Sequence, residues 1–326
     1  MKIIITGATG SLGAVLTRHF CTLRHEIIAT GQMDSPPQNL LSFAKYIKVD
    51  IREPFELPDA DICIHTAALS DDKASLKNLE QANVIGTKNT VNATKSCKKF
   101  IHISSSSVYL PDEKPLKEEI AGHQNNKQLS LYGYSKLMAE KILIENIGNQ
   151  TCFVLRPRAH YGPGDKVILP RLLKLVKNDT IYRPGKMEIN VSLTNYNNVI
   201  HAIECCLESE KQGVHIYNIA DNQSYVFVEV IRKLTEGLFG KPLPEKQIPI
   251  LLLKIMASMK INGMTKLLVR SFSKDMVLDI SKIKKELNYK PETNFYDSLP
   301  ELTEWVKKIG GIEVIKTGDR HLAWEY

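Results

Sequence analysis

The chain lacks the patterns that most simply announce a function. Six cysteines, Cys21, Cys63, Cys97, Cys152, Cys205 and Cys206, include no C-x-x-C pair. That argues against a disulfide framework and for a reduced protein with buried thiols. The nine histidines form no H-x-x-x-H or H-x-H pair, so no metal is expected. No block of five or six like charges appears, and a net charge of +7 is modest over 326 residues, so nucleic-acid binding gains no support. No apolar run approaches the ~18 residues that span a bilayer. Lys2 precedes only three isoleucines, too short an apolar region for a signal peptide. The expected location is therefore the cytoplasm. Internal repeats and low-complexity tracts are also missing.

What is present reads as an ordinary globule, with 43% hydrophobic and 24% charged residues, long enough for one large α/β unit and a smaller one. Strand-like segments at 1–5, 26–30, 46–49, 61–65, 99–103 and 151–155 alternate with helical patterns, notably 76–95 and 132–146. Such alternation predicts a doubly wound parallel sheet with right-handed crossovers. The second half is less regular. Helices are expected at 166–177, 198–208, 278–290 and 298–308, with a short strand at 214–219 and no clear period after 312.

The first strand runs directly into Thr6-Gly7-Ala8-Thr9-Gly10-Ser11-Leu12-Gly13, and a helix-compatible run follows. Strand, Gly-x-x-Gly-x-x-Gly and helix together present backbone N–H groups and a helix N-terminus to a pyrophosphate. Gly7 permits the turn, Gly10 lets backbone approach phosphate, and Gly13 lets helix and strand pack closely. Ser11 and Leu12 belong to the same cradle.

The strongest constellation follows the fifth strand. Ser104-Ser105-Ser106-Ser107 sits at its C-terminal end, where open α/β sheets bind ligands. Tyr132-Gly133-Tyr134-Ser135-Lys136 comes later, and helical i, i+4 spacing puts Tyr132 and Lys136 on one face. Hydride transfer needs a group to move a proton on or off the substrate oxygen. A phenol, with an ordinary pKa of ~10, needs a nearby ammonium to work at neutral pH. A serine hydroxyl can donate to the same oxygen. Ser105, Tyr132 and Lys136 supply these catalytic parts. A second match, Tyr182-Arg-Pro-Gly-Lys186, is broken by Pro-Gly and is set aside.

The segment 243–268 is rich in Leu, Ile and Met and is punctuated by Lys254, Lys260 and Lys266. Three readings stay open: a buried helix pair first, an apolar substrate wall second, a helix lying on a membrane surface third.

These motifs resemble the extended short-chain dehydrogenase/reductases, also called the NAD-dependent epimerase/dehydratase family. The likeness rests on the glycine loop, Val49-Asp50-Ile51, His65-Thr-Ala-Ala68, Asn83-Val-Ile-Gly-Thr87, Ser104-Ser105, Tyr132-x-x-x-Lys136 and Leu155-Arg-Pro-Arg-Ala-His-Tyr-Gly-Pro-Gly164. It implies a Rossmann domain over 1–165, rejoined by segments near 190–220, and a mainly substrate-binding region over 166–326. It also implies cofactor contacts from Asp50, at the adenine, Ile51, Ala67, Ala68, Pro157, Tyr132 and Lys136. Asn83 would stabilise a helix near the site. Homodimerisation through the helices 76–95 and 132–146 is implied as well.

The stretches 65–70 and 156–165, with Leu169-Pro-Arg-Leu-Leu173, look like the 3β-hydroxysteroid dehydrogenase and 2-alkyl-3-oxoalkanoate reductase branch. Substrate contacts would come from Ser70, Ser106, Arg158 and His160. An apolar ketone or secondary alcohol, 3-hydroxy/3-oxo acyl or steroid-like, is then the expected substrate. A sugar-nucleotide epimerase or dehydratase with tightly bound NAD is the enzyme alternative, and a cofactor-sensing regulatory protein the non-enzyme one. The second strand ends in Gly31 and Gln32, where NAD-preferring members carry an acid for the ribose 2′-OH. The cofactor is NADP or NAD, with the balance slightly toward NADP.

Overall fold

A computed structural model describes residues 1–71, 73–124, 129–259, 265–317 and 323–325. Seven strands, β1 (Lys2–Thr6), β2 (Glu26–Gly31), β3 (Lys45–Lys48), β4 (Ile62–His65), β5 (Lys99–Ile103), β6 (Thr151–Pro157) and β7 (Val214–Ile219), form one sheet in the order β7-β6-β5-β4-β1-β2-β3. Every pairing in it is parallel. The chain winds outward from β1 in both directions, so the switch point lies between β1 and β4. Ligands of such sheets bind there, beyond the strands' C-terminal ends.

Strand alternation explains how the sheet buries both faces. Ile3 and Ile5 point to a core that holds Leu12, Leu16 and Phe20 of helix α1 (Ser11–Thr22). Ile4 points to the opposite core, with Cys63, Phe100 and Cys152. That second core is closed by Val91 of α2 and Leu143 of α3 (Leu131–Asn146). Helix α2 runs through Leu76–Leu79, a π turn at Glu80–Ile85, and Gly86–Ala93. All six cysteines are free thiols, and Cys63, Cys97, Cys152, Cys205 and Cys206 serve as buried packing groups.

Helix α4 (Tyr196–Glu208) returns the chain to the sheet before β7. Smaller sheets and helices lie over the C-terminal end, including α5 (Ile250–Ser258) and α6 (Lys266–Ser271).

Two local expectations need correction. The helix expected over 166–177 spans only Ile168–Leu173: the Asp165 carboxylate accepts the N–H groups of Val167, Ile168 and Leu169 and fixes its start, and Val176–Lys177 beyond its end pairs as a strand with Thr180–Ile181. The helix expected over 278–290 spans Ser281–Leu287. Leu278 bridges to Leu116, and Asn288 closes the helix in the left-handed region at φ 54°. Beyond residue 311, where the sequence shows no clear period, a helix spans Ile312–Thr317, and Trp324 is buried.

The apolar stretch 243–268 is core only in part. Leu253, Ala257 and Val269 form a small cluster of their own, whereas Leu251, Leu252, Ile255, Met259 and Leu268 face solvent. Lys260, Ile261 and Met264 lie outside the described residues.

Candidate active site

The glycine loop is built by contacts that only hydrogen side chains permit. Gly7 has φ +72°, and a Cβ there would sit 2.8 Å from the Ala67 backbone. A Cβ on Gly13 would sit 2.2 Å from the Gly7 carbonyl oxygen. The Gly10 N–H donates to that same oxygen at 2.8 Å. Gly10 is also the N-cap of α1, and no side chain caps the helix there. The first-turn N–H groups, on Ser11, Leu12 and Gly13, are thus presented as an anion cradle.

Ser105 lies just beyond β5, and the first turns of α3, which carry Tyr132 and Lys136, pack against the end of that strand. Ser105 ends the strand's extension and caps a short 3₁₀ turn, accepting the Ser107 N–H at 3.1 Å. The first turn of α3 is pressed against that turn: a Cβ on Gly133 would lie 2.1 Å from the Ser107 carbonyl oxygen. Ser130 caps the helix by accepting the Gly133 N–H at 2.9 Å. Tyr132, between these two residues, is thereby placed beside the serine turn, partly exposed. One turn on, Lys136 is buried and its ammonium donates to the Ile103 carbonyl at 2.9 Å. Burial lowers its pKa to about 8, against the opposing pull of the Glu140 carboxylate.

Two buried histidines lie beneath this lysine. Nε2 of His102 is 3.3 Å from the Lys136 ammonium, and an ammonium can only donate, so the ring's proton sits on Nδ1. That Nδ1 has no hydrogen-bond partner among the described residues. His65 stacks on His102 with ring centroids 5.2 Å apart. Its own nitrogens bond to the hydroxyls of Thr6 at 2.7 Å and Thr87 at 3.1 Å. Burial, reinforced by the Lys136 charge, keeps both rings neutral: His65 falls to about 3 and His102 falls well below its ordinary value.

A buried ion pair anchors the same helix. Glu140, one turn after Lys136, receives Nε and Nη2 of Arg156 at 2.9 and 2.6 Å, and also the Ser104 hydroxyl. Arg156 further donates to the Tyr109 hydroxyl and to the Glu118 carbonyl. The network ties α3 to β5 and β6 through groups that no water reaches. Asn83, in the π turn, adds a clamp: its amide exchanges hydrogen bonds with the Leu69 backbone and donates to Ser135 at 2.9 Å.

Residues 3–220 match the model of the NAD dependent epimerase/dehydratase family. The chain belongs to that family. Among curated relatives, a UDP-glucose 4-epimerase of Vibrio cholerae is 26% identical over 319 residues, covering 93% of this chain and 94% of its own. A 2-alkyl-3-oxoalkanoate reductase of Stenotrophomonas maltophilia is 26% identical over 263 residues, covering 76% and 78%. The solved UDP-glucuronic acid 4-epimerase of Bacillus cereus, in complex with NAD, superposes with a TM-score of 0.75 at 23% identity over 95% of this chain and 99% of its own. This family member is thus an enzyme of the extended short-chain dehydrogenase/reductase type, with NAD-dependent oxidoreductase relatives.

Its residues fit a nicotinamide dinucleotide. The cradle formed by Gly7, Gly10 and Gly13 would be filled by any larger residue, and the uncapped first turn of α1 suits the pyrophosphate. When bound, such a cofactor supplies or accepts the hydride. In chemical terms, an ammonium here can favour the ionised form of a neighbouring phenol, a phenol can move a proton at a substrate oxygen, and a serine hydroxyl can donate a hydrogen bond to that oxygen.

The remaining expected residues spread over the same sheet edge. Gln32 donates to Asp50 at 3.0 Å, joining the ends of β2 and β3. Asp50 is gripped by Arg52, whose hydrogen bonds lower its pKa to about 2. Ile51 is buried and packs on Gly86, where a Cβ would lie 2.6 Å from Cδ1. Ala67 donates its N–H to Thr6, whereas Ala68 and Ser70 are exposed. Ser106 is buried and offers no surface to a substrate in this conformation. Pro157 ends β6. Arg158 is fixed through its backbone to Thr194, and burial beside Arg171 lowers its pKa to about 10. His160 falls to about 4 on burial, and its Nδ1 has no hydrogen-bond partner among the described residues. The decoy Tyr182 lies in a strand, Thr180–Pro184.

Sequence reasoning missed several contributors. Lys166 reaches the glycine loop, its N–H donating to Ser11 Oγ at 3.3 Å. Trp324 donates its indole N–H to the Ala8 carbonyl at 3.0 Å, bracing the loop from below. Neither is announced by spacing. Gly133, between two tyrosines in a helix's first turn, was a readable sign of close backbone contact.

Proposed function

We propose that this enzyme interconverts a secondary alcohol and a ketone on an apolar substrate, 3-hydroxy/3-oxo acyl or steroid-like, using NADP(H) or NAD(H). The observation that carries the reading is the buried Lys136 ammonium at the Ile103 carbonyl, with the Tyr132 turn pressed onto the serine turn. The 2-alkyl-3-oxoalkanoate reductase relative supports the substrate class. Arg158 and His160, at the end of β6, stand for substrate orientation. The ribose end carries no acid at Gly31 or Gln32, and Asp34 is paired with Lys48. This supports use of NADPH alongside NADH, checked by comparing kcat/KM for the two. Tyr132→Phe should cut turnover by at least ~100-fold, the scale of a lost acid–base group. Cofactor affinity, read by fluorescence titration, should change little. Wild-type turnover in that variant would refute the assignment.

A second reading is favoured by one observation, the epimerase relative that spans 93% of this chain. It requires purified protein to carry firmly bound NAD and to interconvert a sugar nucleotide without net NADPH consumption. We also propose a homodimer through α2 and α3, on which Ile85, Leu131 and Ile144 are exposed. Light scattering at twice the chain mass would support it.

A further inference from the structure

The helices α5 and α6 display a surface that the catalytic reading does not use. Leu251 is 67% exposed, Leu252 and Ile255 48%, Met259 65% and Leu268 39%. An ordinary surface helix turns such residues inward and its charges outward. Here Leu253 and Ala257 already fill the inward positions, and the outward face is apolar as well.

The charge of the segment is equally one-sided. From residue 246 to 274 the sequence holds Lys246, Lys254, Lys260, Lys266, Arg270 and Lys274 and not one Asp or Glu. Six cations in this stretch nearly match the whole chain's +7. Arg270 donates to the Pro111 carbonyl at 3.0 Å and Lys274 reaches Glu113, which secure α6 to the loop that follows the serine turn. Lys254 and Lys266 are exposed and take part in no ion pair among the described residues.

We propose that α5 and α6 dock this enzyme peripherally onto an anionic lipid surface. Exposed Leu, Ile and Met would enter the interface between headgroups and acyl chains while the flanking lysines meet lipid phosphates. No described helix is long and apolar enough to cross a membrane, so the contact is with one leaflet. A second copy of this chain is the wrong occupant, because it would set the exposed Lys254 and Lys266 against like charges. The anchorage of α6 at Pro111 places the docked face beside the loop leaving the catalytic serines. This inference stands on exposure and charge and does not depend on the substrate proposed above.

Flotation of the full-length, cofactor-loaded protein with vesicles tests it. Vesicles of phosphatidylcholine alone should retain little protein, and vesicles with about one quarter phosphatidylglycerol at least about tenfold more, because near-surface lysines act additively. Binding should weaken steeply at high salt. The triple variant Leu251→Ser/Leu252→Ser/Ile255→Ser should lose flotation yet reduce a water-soluble ketone normally, and Lys254→Glu/Lys266→Glu should lose the preference for the anionic vesicles. Equal binding of the wild type to both vesicle types, or to neither, overturns the proposal without reference to any variant. So does a wild-type oligomer that the triple variant dissociates while flotation is absent throughout.

Discussion

At the scale of single residues, the lysine and the histidine beneath it set a pH dependence. Lys136 loses its proton at about 8 instead of at 10.5. Activity that needs the ammonium should therefore fall as pH rises through about 8. Stability should move the other way. Between that value and the ordinary one, the unfolded chain keeps a proton that the folded chain has released, so the fold gains stability with rising pH. His102 accepts from the ammonium and so favours it; Glu140, one helical turn away, does the same by its charge, while neutral His65 adds none. In His102→Phe the ammonium loses an acceptor, and the alkaline limb of the kcat/KM profile should shift to lower pH. An unmoved limb would show that His102 serves packing alone. Ser105, Tyr132 and Lys136 stand out as candidates in the sequence because serine after a strand and Tyr-x-x-x-Lys in a helix have fixed spacing. His102 was not, since a histidine inside an apolar strand reads as ordinary core until its neighbour across the sheet face is known.

At the scale of elements, α3 is positioned by opposites: a glycine that lets its first turn touch backbone, and an ion pair that holds its middle. Glu140 and Arg156 are each 3% exposed. Glu140→Gln would leave a guanidinium buried without its counter-charge, at a cost of about 3–5 kcal/mol by comparison with broken buried pairs. Thermal unfolding should register this as a lower Tm. Turnover measured well below that Tm should also decline, because Lys136 rides on the same helix. An unchanged Tm would remove the ion pair from the account of α3. The strands of the main sheet were readable to within about two residues, since buried parallel strands are short apolar runs bounded by turns. The helices expected at 166–177 and 278–290 are shorter than their apolar periodicity. The carboxylate of Asp165 sets the start of the first, a strand at Val176–Lys177 takes over beyond its end, and the left-handed Asn288 closes the second. The π turn in α2 has no signature of its own. Its extra residue shows only in the three-dimensional fit of Asn83 against Leu69 and Ser135.

At the scale of the whole molecule, the main sheet is completed late. It takes six strands from the first half of the chain, and β7 joins it only after several smaller strands and helices have intervened. The sequence revealed the alternation of strands and helices but not what each late segment would cover. The stretch 243–268 illustrates the reason. Composition alone could not separate an apolar helix turned inward from one turned outward, because both faces are apolar.

Trp324 joins the far end of the described chain to the first turn of the sheet. Its indole bonds to Ala8 O, Arg18 lies over its ring at 5.0 Å and donates to the Ala323 carbonyl, and Asn39 donates to the carbonyl of Trp324 itself. Whatever steadies the glycine loop must therefore steady this tail, and reciprocity requires the converse. Dinucleotide should retard carboxypeptidase trimming at Trp324, and a chain shortened to before Ala323 should bind dinucleotide more weakly in calorimetry. Digestion at one rate with and without the nucleotide would separate the two ends. Slower digestion with it would make the tail a latch on the cofactor's residence time, set by a single indole.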